Sequence, residues 1–167
     1  AISDLSRHYY HSHSLTLARH PSENDQRMMV RLAAFAFNAG EHLEFTKGLS
    51  SDDQPDLWQH ELSGVLALWV DVGRPSVERI RKACGRAERV RVYAFGGNAA
   101  DMWWQSISGQ LTRYNNLEVF ILSEESSQAL AASVDRTMDV QCTIDEGTAW
   151  FSIQDASIEV SPLKVFP

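Results

Sequence analysis

Four side chains in the first half of this sequence have the types that metal-assisted phosphate chemistry uses. Asp56 follows Pro55 after a turn, Asp71 is the sole acid inside the apolar run Leu66–Val72, and Lys82 is centred on a cationic stretch. Two carboxylates can share a divalent ion such as Mg²⁺ or Mn²⁺, which takes oxygen ligands and keeps several waters. A lysine nearby can offset the charge of a phosphate or orient an attacking water. Glu23, expected in the first turn of the first helix, is a fourth candidate. Three acids and a lysine suit metal-assisted phosphodiester hydrolysis, with Asp56 and Asp71 as metal ligands.

Each of these residues also has a plainer reading. Pro-Asp is a common loop dipeptide. An acid at a strand end such as Asp71 also suits solvent. A helix side bearing Arg79, Lys82 and Arg86 at three- and four-residue spacing is often only a hydrated face. His8, His11 and His13 form a short histidine tract, but no acid or thiolate accompanies them, so a metal site there is disfavoured. Trp58, Trp103 and Trp104 have the ring faces on which bases stack, yet their apolar neighbours favour packing.

Periodicity locates the helices and strands around these groups. His8–Ala18 alternates and predicts a strand or strand pair. Pro21-Ser22-Glu23-Asn24-Asp25 opens a helix with Ser22 as the expected N-cap, running to about Asn38 before Ala39-Gly40. Met28, Met29, Leu32, Phe35 and Ala36 give it an apolar stripe. Strands are predicted at Leu43–Leu49, from about Asp56, and at Gly64–Val72, with a turn-rich stretch Ser50–Pro55. A second amphipathic helix covers Pro75–Glu88, and Arg89–Phe95 reads as a buried strand ended by Gly96-Gly97. A helix over about 99–110, a strand at Leu117–Leu122 and a helix over about 124–136 follow. A hairpin joins Val140–Ile144 to Ala149–Ile153 through Asp145-Glu146-Gly147, and a last strand lies near Ile158–Val160. Alternation of this kind predicts an α/β (α+β) fold, a mixed sheet flanked by helices, in one domain spanning 1–167.

Composition narrows the class. With 44% apolar and 22% charged residues in 167, the chain has the make-up of an ordinary globular core. Met28–Phe37 contains Arg31 and is about half the length of a membrane span. No basic start followed by an apolar run marks a secretory leader, so a cytoplasmic protein is expected. Cys84 and Cys142 stand far apart with no paired spacing and read as reduced thiols. The net charge of −7 argues against a protein that coats nucleic acid. Yet Arg74, Arg79, Arg81, Lys82, Arg86, Arg89 and Arg91 crowd seven of the 15 basic residues into 18 positions. With Glu78 and Glu88 that stretch carries +5, leaving −12 for the rest. Such a strip suits a phosphate-bearing ligand at one place, with weak, salt-dependent nucleic-acid binding through Arg79, Lys82 and Arg86.

Several runs resemble the YaeQ family: Leu15-Thr16-Leu17-Ala18-Arg19-His20-Pro21-Ser22-Glu23, Arg27-Met28-Met29, Phe45-Thr46-Lys47-Gly48-Leu49, Asp52-Asp53-Gln54-Pro55-Asp56-Leu57-Trp58, Arg79-Ile80-Arg81-Lys82-Ala83-Cys84 and Met102-Trp103-Trp104. The resemblance covers nearly the whole chain. It implies a fold similar to the PD-(D/E)XK nucleases, with an α-β-β-β-α-β core over about 22–95 and a C-terminal hairpin region. By that resemblance Glu23 matches the first-helix acid and Asp56 the motif's aspartate. Neither Ala67-Leu68-Trp69 nor Asp71-Val72-Gly73 supplies the lysine expected two residues after an acid on the third strand, and Ala67 stands where the family pattern has an acid. Asp71 is then the second acid, and Lys82 a lysine moved to the next helix. Two readings stay open: a divalent-metal-dependent nuclease, and a non-catalytic binding or regulatory protein on the same fold.

Overall fold

A computed structural model describes residues 1–21, 23–46 and 53–167. The elements are β1 (Ile2–Asp4), β2 (Tyr9–His11), α1 (Asp25–Asn38), β3 (Leu43–Phe45), β4 (Leu57–His60), β5 (Leu66–Val72), α2 (Val77–Arg86) and β6 (Arg89–Ala94). They continue with α3 (Asn98–Ile107), β7 (Leu117–Ile121), α4 (Glu124–Ala132), β8 (Val140–Asp145), β9 (Thr148–Ile153), β10 (Ala156–Val160) and β11 (Leu163–Phe166). From α1 to β6 the order is helix, three strands, helix and strand, as the periodicity predicts.

Two mixed sheets form, in the orders β11-β7-β6-β5-β4-β3 and β10-β9-β8-β1-β2. In the first, β5, β6 and β7 run parallel, while β4 lies antiparallel against β5 with Leu57 opposite Val70. In the second, β1 pairs parallel with β8, Ile2 opposite Cys142. The β8–β9 hairpin turns at Glu146 and Gly147, both at positive φ, conformations that a two-residue hairpin turn requires.

α1 lies between the sheets. One core cluster joins its Met29, Ala33, Ala34 and Phe35 to Leu57, Leu68, Val70 and Val72 of the first sheet and to Ile144, Phe151 and Ile153 of the second. That sandwich explains why the helix is buried beyond one stripe, with Val30, Ala33 and Ala34 enclosed as well. α4 packs beside α1 and against β10. A second cluster covers the opposite face of the first sheet, where Val77, Ile80 and Ala83 of α2 meet Trp69, Val90 and Val92, with Trp103, Trp104 and Ile107 of α3 packed alongside. So α1 and α2 flank the sheet that holds β5 and β6, as expected. β5 is buried along both faces, because it has a helix on each side.

Several local expectations change. α1 begins later than predicted, at Asp25, because Asn24 is the cap: its side chain accepts from the Arg27 backbone N–H at 2.9 Å. Ser22, the Lys47–Leu49 end of the predicted third strand and Ser50–Asp52 of the predicted turn lie outside the described residues. The His8–Ala18 strand shortens to Tyr9–His11, since β2 pairs only with the equally short β1. α4 stops at Ala132 instead of reaching Arg136, and Ser133 and Val134 turn back onto the carbonyls of Leu130 and Ala131. β1 and β11 escape the sequence reading altogether, being three and four residues long.

Candidate functional site

β4 runs antiparallel to β5, so the residue before β4 lies at the carboxyl end of β5. That residue is Asp56, whose backbone N–H donates to the Val70 carbonyl at 3.1 Å. Its side chain folds over the strand end, and Oδ2 accepts from the Val72 N–H at 2.8 Å. Asp71 sits one residue earlier on the same strand, on the face that carries Trp69 and α2. Gly73, at φ +106, then turns the chain towards Ser76, the N-cap of α2.

Two arginines bind the two acids. Arg27, in the first turn of α1, donates from Nη1 to Asp56 Oδ1 at 3.0 Å and to Glu23 Oε2 at 2.9 Å. Its Nη2 reaches Asp56 Oδ2 at 3.2 Å and the Val72 carbonyl at 3.0 Å. Arg79, from the first turn of α2, meets Asp71 as a fork: Nε to Oδ2 at 2.9 Å and Nη2 to Oδ1 at 3.0 Å. Nη2 of Arg79 also donates to the Gln54 carbonyl at 2.8 Å. Burial pushes the Asp56 carboxyl above its ordinary pKa; the Arg27 charge opposes this, and the negative charge of Asp71 adds to it.

Glu23 lies a layer deeper. Arg31 holds it bidentately, Nε to Oε2 at 2.9 Å and Nη2 to Oε1 at 2.7 Å, and its side chain has no exposed surface. Burial raises the Glu23 pKa, but hydrogen bonds and charge from Arg31, with help from Arg27, prevail and leave it below the usual value. This carboxylate is connected to the cleft through Arg27 and does not line it.

The cleft itself has a volume of about 590 Å³ and is walled by Asn24, Gln26, Arg27, Asp56, Asp71, Arg74, Arg79 and the Phe95-Gly96 turn after β6. It opens at the carboxyl ends of two parallel strands, the usual location for ligand sites in open sheets. Of the predicted residues it brings together Asp56, Asp71 and Arg79. Lys82 stands outside it, half exposed, with Nζ 3.1 Å from Asp53 Oδ1. Arg86 donates to the Asp53 carbonyl at 2.8 Å, and its guanidinium lies 5.2 Å from the centre of the Trp69 ring. His13 is engaged with the Tyr9 hydroxyl, and among the described residues no three His, Cys, Asp or Glu side chains gather as a metal cluster.

Arg27 is the residue the sequence reading passed over. Its signal was available: it follows Glu23 by four residues, a spacing that pairs charges along a helix start. What spacing could not show is that the same guanidinium also reaches Asp56.

A model of the YaeQ protein family matches residues 1–162. The protein called uncharacterized protein YaeQ in Escherichia coli (strain K12) is 40% identical over 160 residues, covering 96% of this chain and 88% of that protein. Its namesake from Salmonella typhi is 39% identical over 159 residues, covering 95% and 88%. The crystal structure of YaeQ protein from Xanthomonas axonopodis pv. citri matches with a TM-score of 0.94 at 43% identity, over 98% of this chain and 93% of that one. That of YaeQ protein from Pseudomonas syringae also gives 0.94, at 31% identity, over 99% and 92%. In sequence and in fold alike, this chain belongs to the YaeQ family.

Proposed function

We propose that the chain is a divalent-metal-dependent phosphodiesterase acting on nucleic acid, with a variant of the PD-(D/E)XK site in which Asp56 and Asp71 are the metal ligands. The observation that carries this reading is the pair of carboxylates at the carboxyl end of β5, both lining one arginine-walled cleft.

The donors fit such an ion. An ionised carboxylate has about four acceptor positions. Asp56 uses its oxygens for Arg27 and the Val72 N–H, and Asp71 uses its own for Arg79, so each keeps acceptor capacity towards the cleft. Two hard oxygen ligands are what Mg²⁺ or Mn²⁺ takes from protein when substrate phosphate and water supply the remainder. Once bound, the ion would supply charge stabilisation at the phosphoryl oxygens and a more acidic water. Asp56 and Asp71 would orient it. Arg74 and Arg79 would hold non-bridging phosphate oxygens, a task suited to a planar guanidinium. Arg27 would keep Asp56 in place through its bonds to Glu23 and the Val72 carbonyl, and Glu23 would act by fixing Arg27.

A second reading, a non-catalytic phosphate-binding member of the same fold, is favoured by one observation: both carboxylates already carry a guanidinium, and Lys82 faces Asp53 instead of the cleft. Plasmid nicking and oligonucleotide degradation with Mg²⁺ or Mn²⁺ separate the two. The enzyme reading expects turnover, abolished by Asp71→Asn and by Asp56→Asn, with the double variant little worse than either single, because the two act as one unit. No turnover with several metals on single- and double-stranded substrate would leave the binding reading.

A further inference from the structure

Three carboxylates and three arginines pair around the cleft, whose wall also carries Arg74. Glu23, Asp56 and Asp71 face Arg27, Arg31 and Arg79. The three arginines are held differently. Arg31 is enclosed against Glu23, with 8% and 0% of their side chains exposed. Arg27 is tied to Glu23, Asp56 and the Val72 carbonyl at once. Arg79 extends from the first turn of α2 into the cleft, where it holds the Asp71 carboxylate and the Gln54 carbonyl; 22% of its side chain is exposed, close to the 23% of Arg27, while Asp71 beneath it is 4% exposed. It therefore covers Asp71 from the open side.

We propose that Arg79 is a displaceable stand-in for the divalent cation: it holds Asp71 when no cation is present, and on cation binding it releases Asp71 and turns to the substrate phosphate. This rests on the reading of Asp56 and Asp71 as a cation site. A buried carboxylate pair without any cation is strongly disfavoured, because like charges at short range repel in a poorly solvated site. Arg79 removes that repulsion in the resting protein. A divalent ion entering beside a still-docked Arg79 would put too much positive charge on two carboxylates, so the guanidinium must leave. An incoming phosphodiester then receives it. Cation and phosphodiester binding are accordingly coupled, each favouring the other.

The test is Mn²⁺ titration, read by the electron paramagnetic resonance of the free ion, on the wild type and on Arg79→Gln, Arg79→Lys, Asp71→Asn and Arg113→Gln. Arg79→Gln removes the competitor and should tighten Mn²⁺ binding about tenfold. In the same variant, single-stranded DNA measured by fluorescence anisotropy in Mn²⁺ should bind more weakly. Arg79→Lys keeps the charge but loses the fork, so a smaller shift in the same direction is expected, and it replaces the glutamine variant should that one fail to fold. Arg113, exposed in the turn before β7 and bonded to the Tyr114 hydroxyl, does not line the cleft, and Arg113→Gln should change nothing. Mn²⁺ binding that disappears in Asp71→Asn but is unchanged or weaker in Arg79→Gln would overturn the stand-in role and leave the cation site intact. Absence of Mn²⁺ binding in both the wild type and Arg79→Gln would remove the cation site and this proposal together, whereas binding only in Arg79→Gln would support both.

Discussion

At the scale of single residues, the feature with the largest energetic consequence is the Glu23–Arg31 pair. Both partners are buried, and removing one of them leaves a charge in low dielectric with nothing to compensate it. Glu23→Gln is therefore expected to lower unfolding free energy by about 3 kcal/mol, measured by urea denaturation at neutral pH. The pH dependence has a definite sign. Burial acts to raise the Glu23 pKa, but Arg31 and Arg27 bring it below the ordinary carboxyl range. A depressed carboxyl contributes stability that is fully present above its unfolded pKa and is lost as pH falls through the folded one. The wild-type advantage over Glu23→Gln should hold from neutral pH to roughly 5 and shrink in more acid solution. Asp56 has the opposite sign. Its raised pKa contributes stability that is present when it is protonated and lost as pH rises through the folded value. A difference between wild type and Glu23→Gln that does not change with pH would contradict this account.

At the scale of elements, α2 does two things with one set of cations. Its inner side packs Val77, Ile80 and Ala83 on the sheet. Its first-turn Arg79 enters the cleft, while Lys82 and Arg86 extend the positive charge outside it and meet Asp53 there. Nucleic acid that enters the cleft and follows this helix would replace Asp53 as the partner of Lys82. Lys82→Ala and Arg86→Ala should each weaken oligonucleotide binding by a few-fold at low salt and reduce the slope of log affinity against log salt by about one. Anisotropy titrations at several NaCl concentrations test this. An unchanged slope would mark the two side chains as a hydrated surface, with Arg86 also resting over the Trp69 ring.

At the scale of the whole molecule, α1 is the hub. It lies between two sheets, and Ala33, Ala34 and Ala36 let them approach, each no more than 2% exposed. Ala34→Leu adds volume where neither sheet can yield and is expected to cost about 2 kcal/mol or more. A comparable change at Met102, 61% exposed on α3, to Lys should stay within about 0.5 kcal/mol. Urea denaturation with an unchanged m-value is the measurement, and equal effects at the two sites would contradict the layer assignment. Because the start of α1 also carries Arg27, distortion of the layer should reach the cleft.

Short-range chemistry controls the parts of this protein that are legible in its sequence. The periodicity of Met28, Met29, Leu32, Phe35 and Ala36 marks α1, and Ile80 and Ala83 mark α2. Turn residues locate the β8–β9 hairpin, and the lone acid in an apolar strand identifies Asp71. These signals arise within a few residues and survive without knowledge of the remaining chain. Long-range packing sets the pairing of β1 with β8, 140 residues away in register, and the addition of β11 to β7. It also covers both faces of β5, brings Arg27 and not Lys82 beside Asp56, and puts Glu23 behind the cleft. The reason is common to all of these. Which guanidinium reaches which carboxylate depends on how the start of α1, the start of β4, the end of β5 and the start of α2 converge. That convergence is set by packing two sheets around one helix, and no local pattern of residues encodes it.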